Sequence, residues 1–213
     1  LEQVMPADAI VANGAGNYAT WVHRFHRYRG FRTQLAPTSG AMGYGVPAAI
    51  GAKALLPDRT VVAFAGDGCF LMNGQELATA VQYQLNVIFI VVNNNMYGTI
   101  RMHQEREYPG HVHGTALVNP DFAAYAKSFG AHGETVESTA QFAPALQRGH
   151  NPELARMGQQ YQRDMGPIAQ AYEAFARRWN RPESVRRDEQ GFRDDANRVL
   201  RMVHERMQRE NRD

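Results

Sequence analysis

The sequence predicts an α/β domain with a doubly wound parallel sheet and flanking helices, followed by a helical C-terminal appendage. Short, almost wholly apolar runs, with helix-start signals between them, predict the sheet. A step in charge predicts the appendage. Residues 149–213 hold 24 of the 44 charged side chains although they are only 65 of the 213 residues. The predicted domains are therefore residues 1–148 and 149–213.

The candidate strands are short and rich in apolar residues. They are residues 9–12, 60–65, 87–92 and 133–136. The two middle runs are nearly all apolar, as is typical of parallel strands that helices cover on both faces. Sheets of this kind bind their ligands at the carboxyl ends of the strands, so we expect the chemistry there.

Three helices of the first domain are predicted from their composition and their ends. Residues 43–56 are rich in Ala and are followed by a proline. Asn73 is a candidate N-cap for a helix that runs to about Gln84. Asn119, which precedes a proline and an aspartate, is a candidate N-cap for a helix that runs to about Phe129.

Composition narrows the function classes. The single cysteine, Cys69, forms neither an internal disulfide nor a Cys-based zinc site, which favours a reducing compartment, and we expect a cytoplasmic protein. The longest apolar run, residues 87–92, is too short for a membrane helix. In residues 149–213 the 13 arginines face 11 acidic residues, so a nucleic-acid surface is disfavoured. An amphipathic helical hairpin and a partner-binding element both stay open for this segment.

Two polar motifs follow neighbouring candidate strands. Gly66-Asp67-Gly68 comes directly after one strand, and Asn93-Asn94-Asn95 directly after the next. Adjacent parallel strands would bring Asp67 beside one of these asparagines, and carboxylate and amide oxygens suit Mg²⁺. Taken singly, each motif is also typical of a plain turn or a helix cap.

The interval between the two motifs, 24 residues, resembles the signature of thiamine-diphosphate-dependent enzymes. Residues 38–51 resemble the segment before that signature in the group of acetolactate synthase, benzoylformate decarboxylase and benzaldehyde lyase. Residues 93–98 resemble that group's Asn-Asn-x-x-Tyr-Gly stretch. The resemblance runs from about Asp8 to Arg148 and covers only the C-terminal, diphosphate-binding domain of the family. It implies the thiamine-diphosphate-binding fold.

The resemblance implies a magnesium site and a diphosphate site. Asp67, the side chain of Asn94 and the backbone carbonyl of Met96 would hold Mg²⁺. Gly68 and Cys69 would offer backbone N–H groups to the diphosphate. The family usually has Ser or Ala where this chain has Cys69.

The resemblance also implies residues that position the cofactor. Met42 would bend it into a V, and the Gly40 carbonyl would accept a hydrogen bond from its amino group. A loop before Trp21 would reach the diphosphate through Gly16, Asn17 and Tyr18, the last two of which are typically Gln and His in the synthases. The remaining candidate cofactor-binding residues are Ala41, Gly66 and Tyr97.

The implied activity is decarboxylation or carboligation of a small 2-oxo acid or aldehyde. In the family a glutamate on a separate pyrimidine-binding domain drives cofactor activation, and neither Glu76 nor Glu105 is expected to replace it. Because the sequence leaves no room for that domain, we expect a fragment or one half of a split enzyme, active in a homo- or hetero-oligomer. The alternative is an inactive truncated fragment or fusion whose helical tail is a protein-interaction module.

Two further parts of the sequence suggest other kinds of site, one for a dinucleotide and one for a metal ion. Residues 14–19 fit a dinucleotide-binding pattern, but the acidic residue expected at the end of the next strand, near Leu35, is absent. His103, His111 and His113 lie in one polar segment and suggest a metal site only weakly. His103 and His113 are candidate residues of a substrate loop, and solvated surface is the simpler interpretation.

Overall fold

A computed structural model describes residues 5–148 and 152–210. The chain forms two compact units that divide after Thr135. The step in charge lies further along the chain, after residue 148, so composition and compactness mark different positions. Within the described residues, no helix combines the length and the apolarity that crossing a bilayer requires.

The first unit alternates strands and helices. Its elements are β1 (Ile10–Asn13), α1 (Ala19–Phe25), β2 (Gln34–Leu35), α2 (Gly45–Leu55), β3 (Val61–Gly66), α3 (Asp67–Leu71), a 3₁₀ turn (Gly74–Glu76), α4 (Leu77–Gln82), β4 (Val87–Val92), α5 (Gly98–Glu107) and α6 (Phe122–Ser128). All four strands are parallel, in the order β2-β1-β3-β4. The predicted parallel α/β sheet is confirmed.

Apolar residues cover both faces of this sheet, as the apolar runs predicted. On one face, Ile10, Ala12, Val61 and Ala63 pack against Ala49 of α2. On the other face, Val11 and Phe64 pack against Val22 of α1. Every residue of β3 is buried, whereas every residue of β4 is partly exposed, because β4 lies at the edge of the sheet. Burial is therefore deepest at β1 and β3. Asp67 directly follows β3, so it is attached to one of the two most buried strands.

The fourth predicted strand, residues 133–136, is wrong: this segment has no regular structure. Gly133 is buried against the backbone of α6, where the Ala123 carbonyl occupies the space that a Cβ atom would need. The Glu134 carboxylate pairs with the His132 ring (2.9 Å). The start of this segment therefore packs against α6 and does not pair with the edge strand of the sheet.

Two predicted N-caps are wrong. Asn73 precedes the 3₁₀ turn but caps nothing with its side chain, and two short helical pieces, the 3₁₀ turn and α4, replace the single predicted helix. Helix α6 is capped by Asp121, whose carboxylate accepts hydrogen bonds from the N–H groups of Ala123 (2.8 Å) and Ala124 (3.0 Å). The side chains of Asn73 and Asn119 are thus free for contacts elsewhere.

The second unit is helical over its described residues. It comprises α7 (Thr139–Arg148), α8 (Pro152–Arg178), α9 (Pro182–Arg187) and α10 (Glu189–Glu210). A Gly-Pro pair such as Gly166-Pro167 is expected to break a helix, but α8 continues through it. A proline inside a helix costs about 3 kcal/mol. Beyond it, the ring of Phe175 packs on that of Phe192 in α10, with centroids 5.6 Å apart.

A compact cluster joins α8 and α10. The Trp179 and Phe192 rings meet edge to face with centroids 5.7 Å apart. Asp195 accepts hydrogen bonds from the Trp179 indole (3.0 Å), Arg178 (3.0 Å) and Arg198 (2.7 Å). This carboxylate is held by two arginines and an indole, a contact between helices of the kind that the amphipathic helical hairpin would make.

Candidate cofactor and metal site

Asp67 lies where β3 ends and α3 begins, and it is only 3 % exposed. Its Oδ1 accepts a hydrogen bond from the Gly68 N–H (2.9 Å), and its Oδ2 accepts one from the Asn94 N–H (3.2 Å). Within residues 5–148 and 152–210, Asp67 forms no ion pair. The buried carboxylate is therefore balanced only by neutral N–H donors, which leaves most of its charge uncompensated.

The register of the sheet brings the two polar motifs together. Gly66 pairs with Val92 at the carboxyl ends of β3 and β4, so Asp67 lies beside the asparagines that follow β4. The Asn94 side chain turns back on its own loop, where its Oδ1 accepts a hydrogen bond from the Met96 N–H (3.2 Å). The structure thus places Asp67 and Asn94 next to each other, with Asn94 reaching Asp67 through its backbone.

Asn119 is a residue of this site that the sequence prediction assigned to a helix cap. Its Nδ2 donates to Asp67 Oδ2 (2.7 Å), to Asn93 Oδ1 (2.8 Å) and, more distantly, to Asn95 Oδ1 (3.3 Å). Its own Oδ1 is buried without a hydrogen-bond partner. One signal could have indicated this role: the stretch from Asn119 to Asp121 holds two candidate caps, and one helix needs only one.

The two glycines of the Gly-Asp-Gly motif allow aromatic rings to approach closely. A Cβ atom on Gly66 would lie 2.7 Å from the Tyr18 ring, and one on Gly68 would lie 2.5 Å from the Tyr97 ring. Any larger residue would push these rings away. Tyr97 therefore closes over the start of α3, and Tyr18 packs against the end of β3.

The segment that contains Gly40, Ala41 and Met42 precedes α2. The next residue, Gly43, is held by hydrogen bonds at both its N–H and its carbonyl. The Gly43 N–H donates to the Cys69 sulfur (3.1 Å), and the Gly43 carbonyl accepts a hydrogen bond from Asn73 Nδ2 (2.7 Å). Gly43 has φ +83°, and a Cβ atom there would lie 2.8 Å from Asn73 Nδ2. Cys69 and Asn73 therefore fix the backbone next to Met42.

The loop after β1 is tied to α5. Asn17 and Thr99 form a reciprocal pair: the Asn17 N–H donates to Thr99 Oγ1, and Thr99 Oγ1 donates to Asn17 Oδ1, both at 3.0 Å. The neighbouring Gly16 turns with φ +152°. Helix α5 was not predicted from the sequence, because none of its residues is buried and it shows no apolar period.

Tyr18 of the same loop points inward. Its ring lies 5.8 Å from that of Phe64, and its hydroxyl is buried near Cys69 without a hydrogen-bond partner of good geometry. Burial, together with the nearby Cys69 thiol, raises the pKa of the Tyr18 hydroxyl above its usual value. Tyr18 is thus a neutral residue at neutral pH, placed between the predicted diphosphate loop and α3.

The histidines of the polar segment do not form a metal site. His103 contacts Arg106 (3.1 Å), and the backbone of His113 is held by the Gln104 side chain (2.9 and 3.0 Å). His111 is exposed. Across the part of the chain that the structure describes, no three His, Cys, Asp or Glu side chains come together as a potential metal centre. The asparagine-rich surroundings of Asp67 are accordingly the candidate cation site.

Comparison with known proteins identifies the fold and the family. The family model described as thiamine pyrophosphate enzyme, C-terminal TPP binding domain, matches residues 14–156. Thiamine pyrophosphate is the same compound as thiamine diphosphate. A thiamine diphosphate-dependent 4-hydroxybenzoylformate decarboxylase of Rhodococcus jostii RHA1 superposes with a TM-score of 0.62 at 30 % identity, covering 66 % of this chain and 27 % of that one.

Sequence relatives agree with this assignment. An acetolactate synthase large subunit of Parasynechococcus marenigrum is 42 % identical over 129 residues, which are 59 % of this chain and 21 % of the relative. A sulfoacetaldehyde acetyltransferase of Alcaligenes xylosoxydans is 35 % identical over 149 residues, 70 % of this chain and 25 % of the relative. This chain therefore spans about a quarter of the length of these relatives. It belongs to the thiamine pyrophosphate enzyme family and carries that family's C-terminal cofactor-binding domain, as the sequence motifs predicted.

Proposed function

We propose that this chain is the thiamine-diphosphate- and Mg²⁺-binding domain of an acetolactate-synthase-like 2-oxo acid decarboxylase or carboligase. The observation that carries the proposal is the state of Asp67, a buried carboxylate at the meeting point of two parallel strand ends with only N–H donors around it. A buried charge of this kind is costly unless a counter-charge joins it.

The residues around Asp67 fit Mg²⁺ in their chemistry. The Asn119 amide that binds Asp67 also donates to the side-chain oxygens of Asn93 and Asn95, and its own oxygen has no partner. Mg²⁺ prefers oxygen ligands and takes few of them from protein, leaving positions for water and phosphate oxygens. Asp67, Asn94 and the carbonyl of Met96 would hold the ion, as the family resemblance implies.

The cofactor would supply the carbon nucleophile and the electron sink for decarboxylation or carbon–carbon bond formation. The chain's own residues bind and orient it. In the proposed site these residues are Gly16, Asn17, Tyr18, Gly40, Ala41, Met42, Gly66, Gly68, Cys69 and Tyr97. The contacts of Gly43 with Cys69 and Asn73 support the orienting role of Met42, because they fix the adjacent backbone.

Activation of the cofactor is assigned to a separate pyrimidine-binding domain or subunit. Both glutamates considered in this chain are already engaged. Glu76 accepts a hydrogen bond from the Thr79 hydroxyl (2.7 Å), and Glu105 pairs with Arg101 (3.6 Å). The proposed assembly is a homo- or hetero-oligomer acting on a small 2-oxo acid or aldehyde. The names of the relatives, which include synthases, an acetyltransferase and a decarboxylase, support this substrate class.

Calorimetry of the full chain with thiamine diphosphate, with Mg²⁺ and with EDTA, tests the binding proposal. We expect Mg²⁺-dependent binding that Asp67→Ala weakens by about 100-fold or more, since both the metal ligand and its charge are lost. The matched control is Asp195→Ala, which removes a carboxylate of the second unit. Metal-independent binding, or equal effects of the two substitutions, would contradict the proposal.

A turnover assay tests the catalytic part of the proposal. The full chain is mixed with a separately supplied pyrimidine-binding domain of the family, and consumption of 2-oxo acids is followed. Turnover that requires both components supports a split enzyme. Cofactor binding without turnover would instead favour the alternative, an inactive fragment.

A further inference from the structure

The amide group of Asn119 occupies a position that is chemically suited to a cation. Its Nδ2 faces three side-chain oxygens, those of Asp67 (2.7 Å), Asn93 (2.8 Å) and Asn95 (3.3 Å). An amide nitrogen carries two hydrogens, so three acceptors share two donors. One of them belongs to a carboxyl group that is 3 % exposed, and the amide offers it only a partial positive charge.

The oxygen of the same amide accepts no hydrogen bond. Asn119 Oδ1 is buried and has no hydrogen-bond partner, although a buried amide oxygen normally has one. Rotating the amide by half a turn about χ2 would exchange the positions of Oδ1 and Nδ2. Without a cation, that rotation would set one oxygen against three others. With a cation among them, the same rotation would present another oxygen ligand.

Local structure does not account for the position of Asn119. Helix α6 is capped by Asp121, so its N-terminus does not need the Asn119 side chain. Pro120 disfavours helical backbone at the preceding residue, which keeps Asn119 outside the helix. The contact with Asp67 spans 52 positions in the sequence. It is therefore a tertiary contact directed at the buried carboxylate.

We propose that Asn119 is an additional member of the divalent-cation site: its amide stands in for the ion in the ion-free chain and turns its oxygen toward the ion on binding. This inference rests on the proposed function and adds a residue to its metal site. Asn119 holds the oxygens of Asp67, Asn93 and Asn95 together before the ion arrives. It then contributes an uncharged ligand, which suits a site that must also accept a diphosphate.

Binding of Mn²⁺ alone to the full chain tests this role, with the loss of the free-ion electron paramagnetic resonance signal as the measure. We expect Asn119→Asp to tighten Mn²⁺ binding by about tenfold or more, because a second carboxylate then faces the ion. Without metal, the same variant should melt at a lower temperature than the unmodified chain, since two carboxylates repel each other. Asn119→Ala should also melt at a lower temperature without metal, and it should gain less from Mn²⁺ than the unmodified chain does, because it lacks the amide oxygen that the ion would bind.

Asp121→Ala is the matched control, because it weakens the same segment through the helix cap without touching the three oxygens. Its Mn²⁺ affinity should stay within about twofold of the unmodified chain. The inference would be overturned if Asn119→Asp behaved like this control. It would also be overturned if Mn²⁺ bound neither to the unmodified chain nor to Asn119→Asp. If Asn119→Asp fails to fold, the Asn119→Ala melting experiment decides: an unchanged gain from Mn²⁺ contradicts the inference. Mg²⁺-dependent binding of thiamine diphosphate to the unmodified chain would leave the proposed function standing in either case.

Discussion

The carboxylates of Asp67 and Asp195 are both shielded from solvent, one in each compact unit, and their partners differ in charge. Asp195 receives hydrogen bonds from Arg178, Arg198 and the Trp179 indole. Asp67 receives them from two backbone N–H groups and the Asn119 amide. Two formal positive charges accompany the first carboxylate, and none accompanies the second among the described residues.

Under the proposed function, the difference separates a structural carboxylate from one that binds a ligand. Asp195 joins α8 to α10, and its charge is balanced within the chain. Asp67 is buried among neutral N–H donors, a setting in which a carboxylate charge is costly without a counter-charge. An arginine beside Asp67 would stabilise the fold and would compete with the cation. Neutral donors orient the carboxylate and, under the proposed function, would leave its charge for the ion.

Asparagine substitutions of the two aspartates should change stability in opposite directions. Asp195→Asn should lose roughly 1–2 kcal/mol, because two charge-assisted bonds become neutral while the exposed arginine heads limit the loss. Asp67→Asn should gain about 1 kcal/mol in EDTA, because a buried charge is removed. Urea unfolding followed by tryptophan fluorescence measures both, since Trp21 lies in the first unit and Trp179 in the second. If both variants lost the same unfolding free energy, the proposed distinction between the two carboxylates would be wrong.

Contacts near Asp67 should affect cofactor binding more than stability. Asn73→Ala removes the hydrogen bond to the Gly43 carbonyl, so the backbone beside Met42 loosens. We expect thiamine diphosphate affinity to fall about tenfold, with less than about 1 kcal/mol lost in unfolding free energy. Cys69→Ala removes the sulfur acceptor of the Gly43 N–H and should have a smaller effect in the same direction. An unchanged affinity in Asn73→Ala would show that this loop is not part of the binding site.

The smallest expected effect is that of ionic strength on the stability changes caused by Asp195→Asn and Asp67→Asn. The arginine side chains at Asp195 are more than half exposed, so salt screens their pairing with it. The loss in Asp195→Asn should shrink by about half between low salt and 1 M NaCl. The gain in Asp67→Asn should persist, because that carboxylate is buried and has no charged partner. Equal salt dependence in the two variants would contradict this difference in environment.

The sequence was informative where the pattern is local. The apolar runs gave strands β1, β3 and β4 to within one residue, and they placed Gly66-Asp67-Gly68 and the three asparagines at neighbouring strand ends. Burial on both faces of a parallel sheet leaves such runs, so these parts of the fold and of the site were predictable. The family match to residues 14–156 agrees with the motif spacing.

The sequence was misleading where a local signal and a tertiary contact compete for one side chain. Asn73 and Asn119 both precede helical segments and fit the rules for N-caps. In the structure one amide binds the Gly43 carbonyl, 30 positions away, and the other binds Asp67, 52 positions away. A cap pattern does not say whether the side chain is needed elsewhere, and that depends on which strands and loops the fold brings near.

A crystal structure of the full chain with Mn²⁺ and thiamine diphosphate, with anomalous diffraction at the manganese edge, tests the central claim most directly. We predict an anomalous peak about 2 Å from an Asp67 carboxylate oxygen, with the Asn119 amide nitrogen no longer facing that carboxylate. An anomalous peak elsewhere on the chain, with Asp67 still bonded only to N–H donors, would contradict the assignment of this carboxylate to a cation site.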